Sequence, residues 1–229
     1  MHMTVLGIDT ATARGSVALA RHGEVLASAA LLERGAHARD LVRRIDGLLA
    51  ETGLAPADLR GIVVTLGPGS FTGVRVGLST AKGLAYALDI ALGGLSTLEV
   101  LARTVLLVRT GTADTVCAAI EAGRGEVYAA LFRCEAGEPV RESTDRSYRP
   151  ADLARLLRPG TLVVGDAAST VESAAREEGR DIERVEPSPL LAGPLALWGC
   201  RTLVPGARYS PGQPRPNYVR PSDAEARRR

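Results

Sequence analysis

The chain has 229 residues, enough for one large domain or two smaller lobes around a real core. Its 28 Lys and Arg against 26 Asp and Glu give a net charge of +2, and 3% of residues are aromatic, so no basic stripe with interleaved aromatics points to autonomous nucleic-acid binding. Three cysteines, Cys117, Cys134 and Cys200, are far apart and odd in number; they read as small core residues in a reducing compartment, not as a disulfide frame.

Thr4–Ile8 reads as a short apolar strand ending in Asp9-Thr10-Ala11-Thr12, and residues 15–20 and 24–28 complete a three-stranded meander with tight turns. An acidic residue closing a strand, followed by Thr-x-Thr, can place hydroxyls and N–H groups beside a phosphate, which makes Asp9, Thr10 and Thr12 candidate cofactor-binding residues. The alternative is an ordinary turn in which Asp and Thr side chains satisfy backbone groups. Residues 36–51 follow the amphipathic-helix rule, with Ala38, Leu41, Val42, Ile45, Leu48 and Leu49 on one stripe and Arg39, Asp40, Arg43, Arg44 and Asp46 facing away. Thr52-Gly53 stops that helix.

A buried strand over 62–66 then enters Gly67-Pro68-Gly69-Ser70-Phe71-Thr72-Gly73, a glycine loop whose Ser/Thr pair can cap a helix running to about Leu88. Gly73, Gly77, Ala81 and Ala85 recur every fourth residue and line one face with almost no side chain. Each glycine inside a helix costs roughly 0.5–1 kcal/mol relative to alanine. Close approach of another backbone, from this chain or from a partner subunit, is the physical reason to expect. The loop is not a Walker loop, because Lys82 lies between Ala81 and Gly83, nor a nucleophile elbow, because Pro68 and Thr72 flank Ser70 where glycines are required. A strand over 90–95 and a helix over 97–108 follow. The apolar zone from Leu78 to Val108 is interrupted by Lys82, Asp89, Glu99 and Arg103, so no membrane span is expected there. With no leader pattern at the N-terminus, a soluble cytoplasmic protein is expected.

The second half repeats the opening. Val116–Ile120 ends in Glu121, and Gly123 and Gly125 turn the chain into a strand over 126–132, as Asp9 and Gly15 do earlier. This self-similarity implies two related lobes, over 1–110 and 111–229. A third strand within 139–148, a helix over 150–157, a strand over 161–164 and helices over 168–178 and 190–203 complete the second lobe. Residues 204–221 turn to Pro and Gly and read as an extended arm. Val164-Gly165-Asp166-Ala167 is the single candidate for a nucleotide loop there. His2, His22 and His37 never fall at the i, i+4 spacing that sets two imidazoles on one helical face, so no metal site is expected.

At Ile8–Thr12, Gly67–Gly77, Ala119–Tyr128 and Asn217-Tyr218-Val219-Arg220 the sequence resembles the TsaB (YeaZ) family, over nearly the whole chain and in the same order. The resemblance implies an α/β, two-lobed actin/hexokinase/Hsp70-like (ribonuclease H-like) fold with a reduced second lobe. It implies a non-catalytic paralogue of the TsaD transferase that acts as a scaffold in making threonylcarbamoyladenosine in tRNA, without a cofactor, metal or catalytic residue. The implied partners are a TsaD-like subunit, a TsaE-like ATPase, a second copy when alone, and tRNA only through the complex. The implied partner surface lies on the two first-lobe helices, which assigns Ala38, Leu41, Val42, Ile45, Leu48, Leu49, Gly73, Val74, Gly77, Leu78 and Ala81 to it. Ile120-Glu121-Ala122-Gly123 departs from the family's Ile-Asp-Ala-Arg. The competing reading is an enzyme: an ATPase or phosphotransferase of the same fold, or a peptidase.

Overall fold

A computed structural model describes residues 3–31, 38–108, 115–186 and 190–220 of the chain, the side chains of 38, 39 and 106–108 excepted. The elements begin with strands β1 (Thr4–Asp9), β2 (Ser16–Arg21) and β3 (Glu24–Ala30), then α1 (Ala38–Glu51), β4 (Gly61–Thr65), α2 (Phe71–Leu88), β5 (Ala91–Leu95) and α3 (Thr97–Val108). They continue with β6 (Thr115–Gly123), β7 (Glu126–Glu135), β8 (Glu138–Arg141), β9 (Arg146–Tyr148), α4 (Pro150–Leu156), β10 (Thr161–Val164), α5 (Ala168–Glu177), β11 (Ile182–Val185) and α6 (Ala192–Thr202). Among the described residues no helix is long and apolar enough to cross a membrane.

The chain forms two compact units, Met1–Thr97 with Pro189–Asn217 and Leu98–Ser188 with Tyr218–Arg229. In the first, the sheet order is β3-β2-β1-β4-β5, antiparallel across β3, β2 and β1 and parallel across β1, β4 and β5. Every residue of β1 and β4 is buried, because both faces of these central strands are covered. Leu6, Ile8, Leu19 and Ile62 meet Leu41, Ile45, Leu48 and Leu49 of α1 and Leu78, Ala81 and Ala85 of α2. The alternate residues point to the opposite face, where α6 lies.

Small residues bring α6 close. A Cβ on Gly7 would strike the Ala192 carbonyl, and one on Gly199 would lie 2.8 Å from methyls of Val5 and Val63. The Ala192 N–H donates to Ser16 Oγ at 3.1 Å. This is a difference from the sequence expectation, which kept everything after residue 110 in the second lobe. The α6 helix packs on the first sheet, where Gly7 of β1 and its own Gly199 leave room for the close approach.

The second unit repeats the strand order as β11-β10-β6-β7-β8, with β9 also pairing β7, and repeats the directions: β6 is antiparallel to β7 and parallel to β10. Its reduction is in helix length, α4 and α5 having 7 and 10 residues against 14 and 18 in α1 and α2. Strand β11 was not foreseen: Ile182-Glu183-Arg184-Val185 is short, charged and exposed at its centre. The expected strand within 139–148 is two strands, β8 and β9, on successive parts of β7. Cys117 packs in this core with Val127, Leu153, Val163 and Val171, and burial pushes its thiol up to about 12.

Candidate functional site

The turn after β1 and the glycine loop after β4 form one closed structure. Asp9 is fully buried, and its carboxylate accepts from the Ala11 N–H at 3.0 Å, the Thr12 hydroxyl at 2.5 Å and the Thr65 hydroxyl at 2.8 Å. Burial pushes the carboxyl above its ordinary value, and these hydrogen bonds oppose the shift without cancelling it. The Thr10 hydroxyl donates to the Gly73 carbonyl at 2.7 Å, and the Ser70 N–H donates to the Ala11 carbonyl at 2.8 Å. Asp9, Thr10 and Thr12 are therefore brought together, each holding the turn or the loop. Thr65, which shares the Asp9 carboxylate, was missed by sequence reasoning; its only signal is a hydroxyl at the end of an apolar strand.

The helix glycines now divide into two kinds. A Cβ on Gly73 or Gly77 would strike Thr10, and one on Gly69 would strike the Ala11 carbonyl. These glycines admit the chain's own turn. Ser70 caps the helix, accepting from the Gly73 N–H at 3.1 Å. By contrast, a Cβ on Gly47 of α1 or Gly83 of α2 would meet nothing within 4 Å. Both lie on solvent-facing sides, Gly47 beside exposed Arg43, Ala50 and Glu51, and Gly83 beside exposed Ser79, Tyr86 and Ala87.

The residues assigned to a partner surface are placed accordingly. Leu41, Ile45, Leu48, Leu49, Gly73, Val74, Gly77, Leu78 and Ala81 are buried in the first unit itself. The Ala38 side chain and His37 lie outside the described residues. Val42 alone of the eleven is exposed among those described, at 48%. The correction has a simple cause. An apolar stripe shows which face of a helix is covered, and here the covering is the chain's own sheet and turn. The opposite faces of the two helices are the exposed ones.

The second unit has a counterpart to the first turn. A Cβ on Gly165 would strike the Ala119 carbonyl, the Glu121 N–H donates to Asp166 Oδ1 at 2.9 Å, and the Thr170 hydroxyl donates to Glu121 Oε1 at 2.9 Å. The Asp166 carboxyl is raised, by burial first and then by the charge of Glu121, against the pull of the backbone N–H groups. Among the described residues no three His, Cys, Asp or Glu side chains gather as a metal site. Arg220 donates to Ser147 Oγ at 2.8 Å, pairs with Glu126 and sits over the Tyr128 ring. In the first unit, the Asn217 N–H donates to the Leu66 carbonyl at 2.7 Å.

Two sheets of matching strand order, each with a meander, a crossover helix and a tight glycine turn, define the actin/hexokinase-like class, and a solved polyphosphate/ATP-glucomannokinase from Arthrobacter shares the fold at a TM-score of 0.53 and 10% identity. A family model for TsaD, tRNA N6-adenosine threonylcarbamoyltransferase, matches residues 29–186. The tRNA threonylcarbamoyladenosine biosynthesis protein TsaB of Escherichia coli is 32% identical over 225 residues, covering 95% of both chains. The Bacillus subtilis protein of the same name is 34% identical over 68% of this chain, an alignment spanning 66% of that protein. The solved structure of YeaZ from Pseudomonas aeruginosa superimposes with a TM-score of 0.76 at 30% identity, covering 94% of this chain and 99% of that one. The chain belongs to the TsaB (YeaZ) family.

Proposed function

We propose that the chain is a non-catalytic accessory subunit of the assembly that makes threonylcarbamoyladenosine in tRNA, placed in the cytoplasm. Its task is to hold a TsaD-like transferase subunit, with a TsaE-like ATPase joining the pair and tRNA engaged only through the complex. The group installed is the threonylcarbamoyl of the adenosine next to the anticodon in ANN-decoding tRNAs. The observation that carries this reading is the match to the Escherichia coli biosynthesis protein over 95% of both chains.

The geometry supports a scaffold over an enzyme of the same fold. The Asp9 carboxylate, Thr10 hydroxyl and Thr12 hydroxyl are engaged with Thr65, Gly73 and Ala11 and with each other, so the turn is built as a structural lock. The partner surface is the outward face of α1 and α2, around Val42, Gly47 and Gly83. An exposed helix glycine with nothing above it weakens the free subunit, and close approach by a partner helix is a physical reason to keep it. Because the chain matches a transferase family model across α1 and α2, a transferase partner would bring equivalent helices to the contact. A second copy of this chain would use the same face when the partner is missing.

Size-exclusion chromatography with light scattering, on the protein alone and mixed with the TsaD-like protein of its organism, tests this. A dimer that converts into a one-to-one complex is the expected result. A species indifferent to that partner would overturn the reading, as would stoichiometric ATP hydrolysis by the pure protein that Asp9→Ala abolishes.

A further inference from the structure

We infer that the C-terminal arm completes the surface that α1 and α2 offer to the transferase-like subunit, with Tyr86 as an aromatic anchor and Arg208 and Tyr209 as the residues that position it. The inference rests on the partner reading above. Tyr86 is 74% exposed, the largest value among the exposed large hydrophobic side chains of the described residues. Its ring is nevertheless fixed on one side: Tyr209 meets it edge to face, with centroids 6.0 Å apart and planes at 79°. Tyr209 itself packs against the first unit's core, and its neighbour Arg208 pairs with Asp89. Asp89 is the residue that ends α2 in a left-handed conformation, at φ 50°.

The arm therefore fastens to the C-terminal turn of α2 and to the residue that follows β4, without forming a helix or strand. Arg208 and Tyr209 hold the C-terminal turn, and the Asn217 N–H bonds the Leu66 carbonyl just ahead of the glycine loop. A surface tyrosine already held by its own chain loses little side-chain freedom on binding, and tyrosine is one of the residues on which interface energy concentrates. Tyr86 stands one helical turn beyond Gly83, on the same face. A ring therefore rises beside a notch in which an added Cβ would touch nothing. A helix laid into that notch meets the ring. The occupant that fits is the paralogous transferase subunit, since the family model that matches this chain spans both α1 and α2 and that subunit carries their equivalents.

The test is isothermal titration of the full-length protein with the TsaD-like subunit, using Tyr86→Ala, Tyr209→Ala, Tyr209→Phe and Gly83→Leu, each with a thermal melt. Tyr86→Ala is expected to weaken binding about thirtyfold, the size typical of an interface anchor. Tyr209→Ala is expected to weaken it about fivefold, while Tyr209→Phe binds as the parent does, because the edge contact needs the ring and not the hydroxyl. Parental binding by Tyr86→Ala and Tyr209→Ala, with Gly83→Leu unable to bind, would overturn the role of the arm and leave the helix surface standing. Parental binding by Gly83→Leu as well would move the contact off this face and overturn the proposal with the partner still bound, whereas no binding by the parent protein would remove the partner reading itself. Loss of self-association alone in Tyr86→Ala, with the mixed complex intact, also overturns the proposal. If Tyr209→Ala melts early, the surface variant Tyr86→Ala decides.

Discussion

Asp9 is a fully buried carboxyl, and its role follows from the donors that face it, the Ala11 N–H and the Thr12 and Thr65 hydroxyls among them. Replacing it with alanine leaves the Thr65 hydroxyl and the Ala11 N–H without their acceptor in a closed site. That should cost about 2–3 kcal/mol of stability, measurable by urea unfolding. Asparagine tests the charge separately. The folded-state pKa is raised above the 3.8 of the unfolded chain. Between those two values the folded protein keeps a proton that the unfolded one has released. Stability therefore falls as pH rises through that window and levels off above it. Asp9→Asn should lack this fall, so the gap between parent and variant should change in the parent's disfavour from about pH 4 upward. Parallel curves would place the proton elsewhere. The sequence showed the carboxylate and the two threonines of the turn together. It could not show Thr65, because pairing between β1 and β4 joins residues 56 apart, and no local pattern encodes that register.

At the scale of the element, α2 shows how far periodicity carries an argument. The stripe Gly73, Gly77, Ala81, Ala85 was legible as a close-packed face, and these residues are buried. What packs there was not legible, since a small-residue stripe looks the same under a partner helix as under the chain's own Thr10. The two classes of glycine make opposite predictions. Gly77→Leu forces a side chain into Thr10 and should destabilise the subunit by about 1–3 kcal/mol or more. Gly83→Ala and Gly47→Ala add a methyl to open space and should each stabilise it by about 0.5–1 kcal/mol in a thermal or urea melt. If Gly83→Ala lowers the melting temperature, some contact of this chain occupies the notch. Leu41→Asp and Ile45→Asp, which sequence alone would aim at the partner, should instead unfold the first unit, because both sit in its core. Val42→Asp is the substitution on α1 that should spare the fold and weaken the complex, read together by melting and light scattering.

For the whole molecule, the repeat of strand, acid, turn and strand was enough to foresee two lobes of related topology. The matching orders β3-β2-β1-β4-β5 and β8-β7-β6-β10-β11 are what that repeat becomes in space. The division of the chain was much less visible. Hydrophobic periodicity reports that α6 has an apolar face, but its partner strands β1, β2 and β4 lie far earlier in the chain, and only the glycines at 7, 61 and 93 hint that something must come close. The Pro- and Gly-rich arm was foreseen as lacking regular structure, yet its backbone and side chains fasten to α2, the glycine loop and β7. Composition describes the absence of an element and is silent about attachment.

The return of residues 189–217 to the first unit bears on how the protein is born. A ribosome adding about 5–20 residues per second delivers the first meander within seconds, but needs on the order of ten to forty seconds to deliver the helix that covers its second face. Through that interval Val5 and Val63 belong to a nascent sheet open on one side. The first half to be synthesised is thus among the last to be finished.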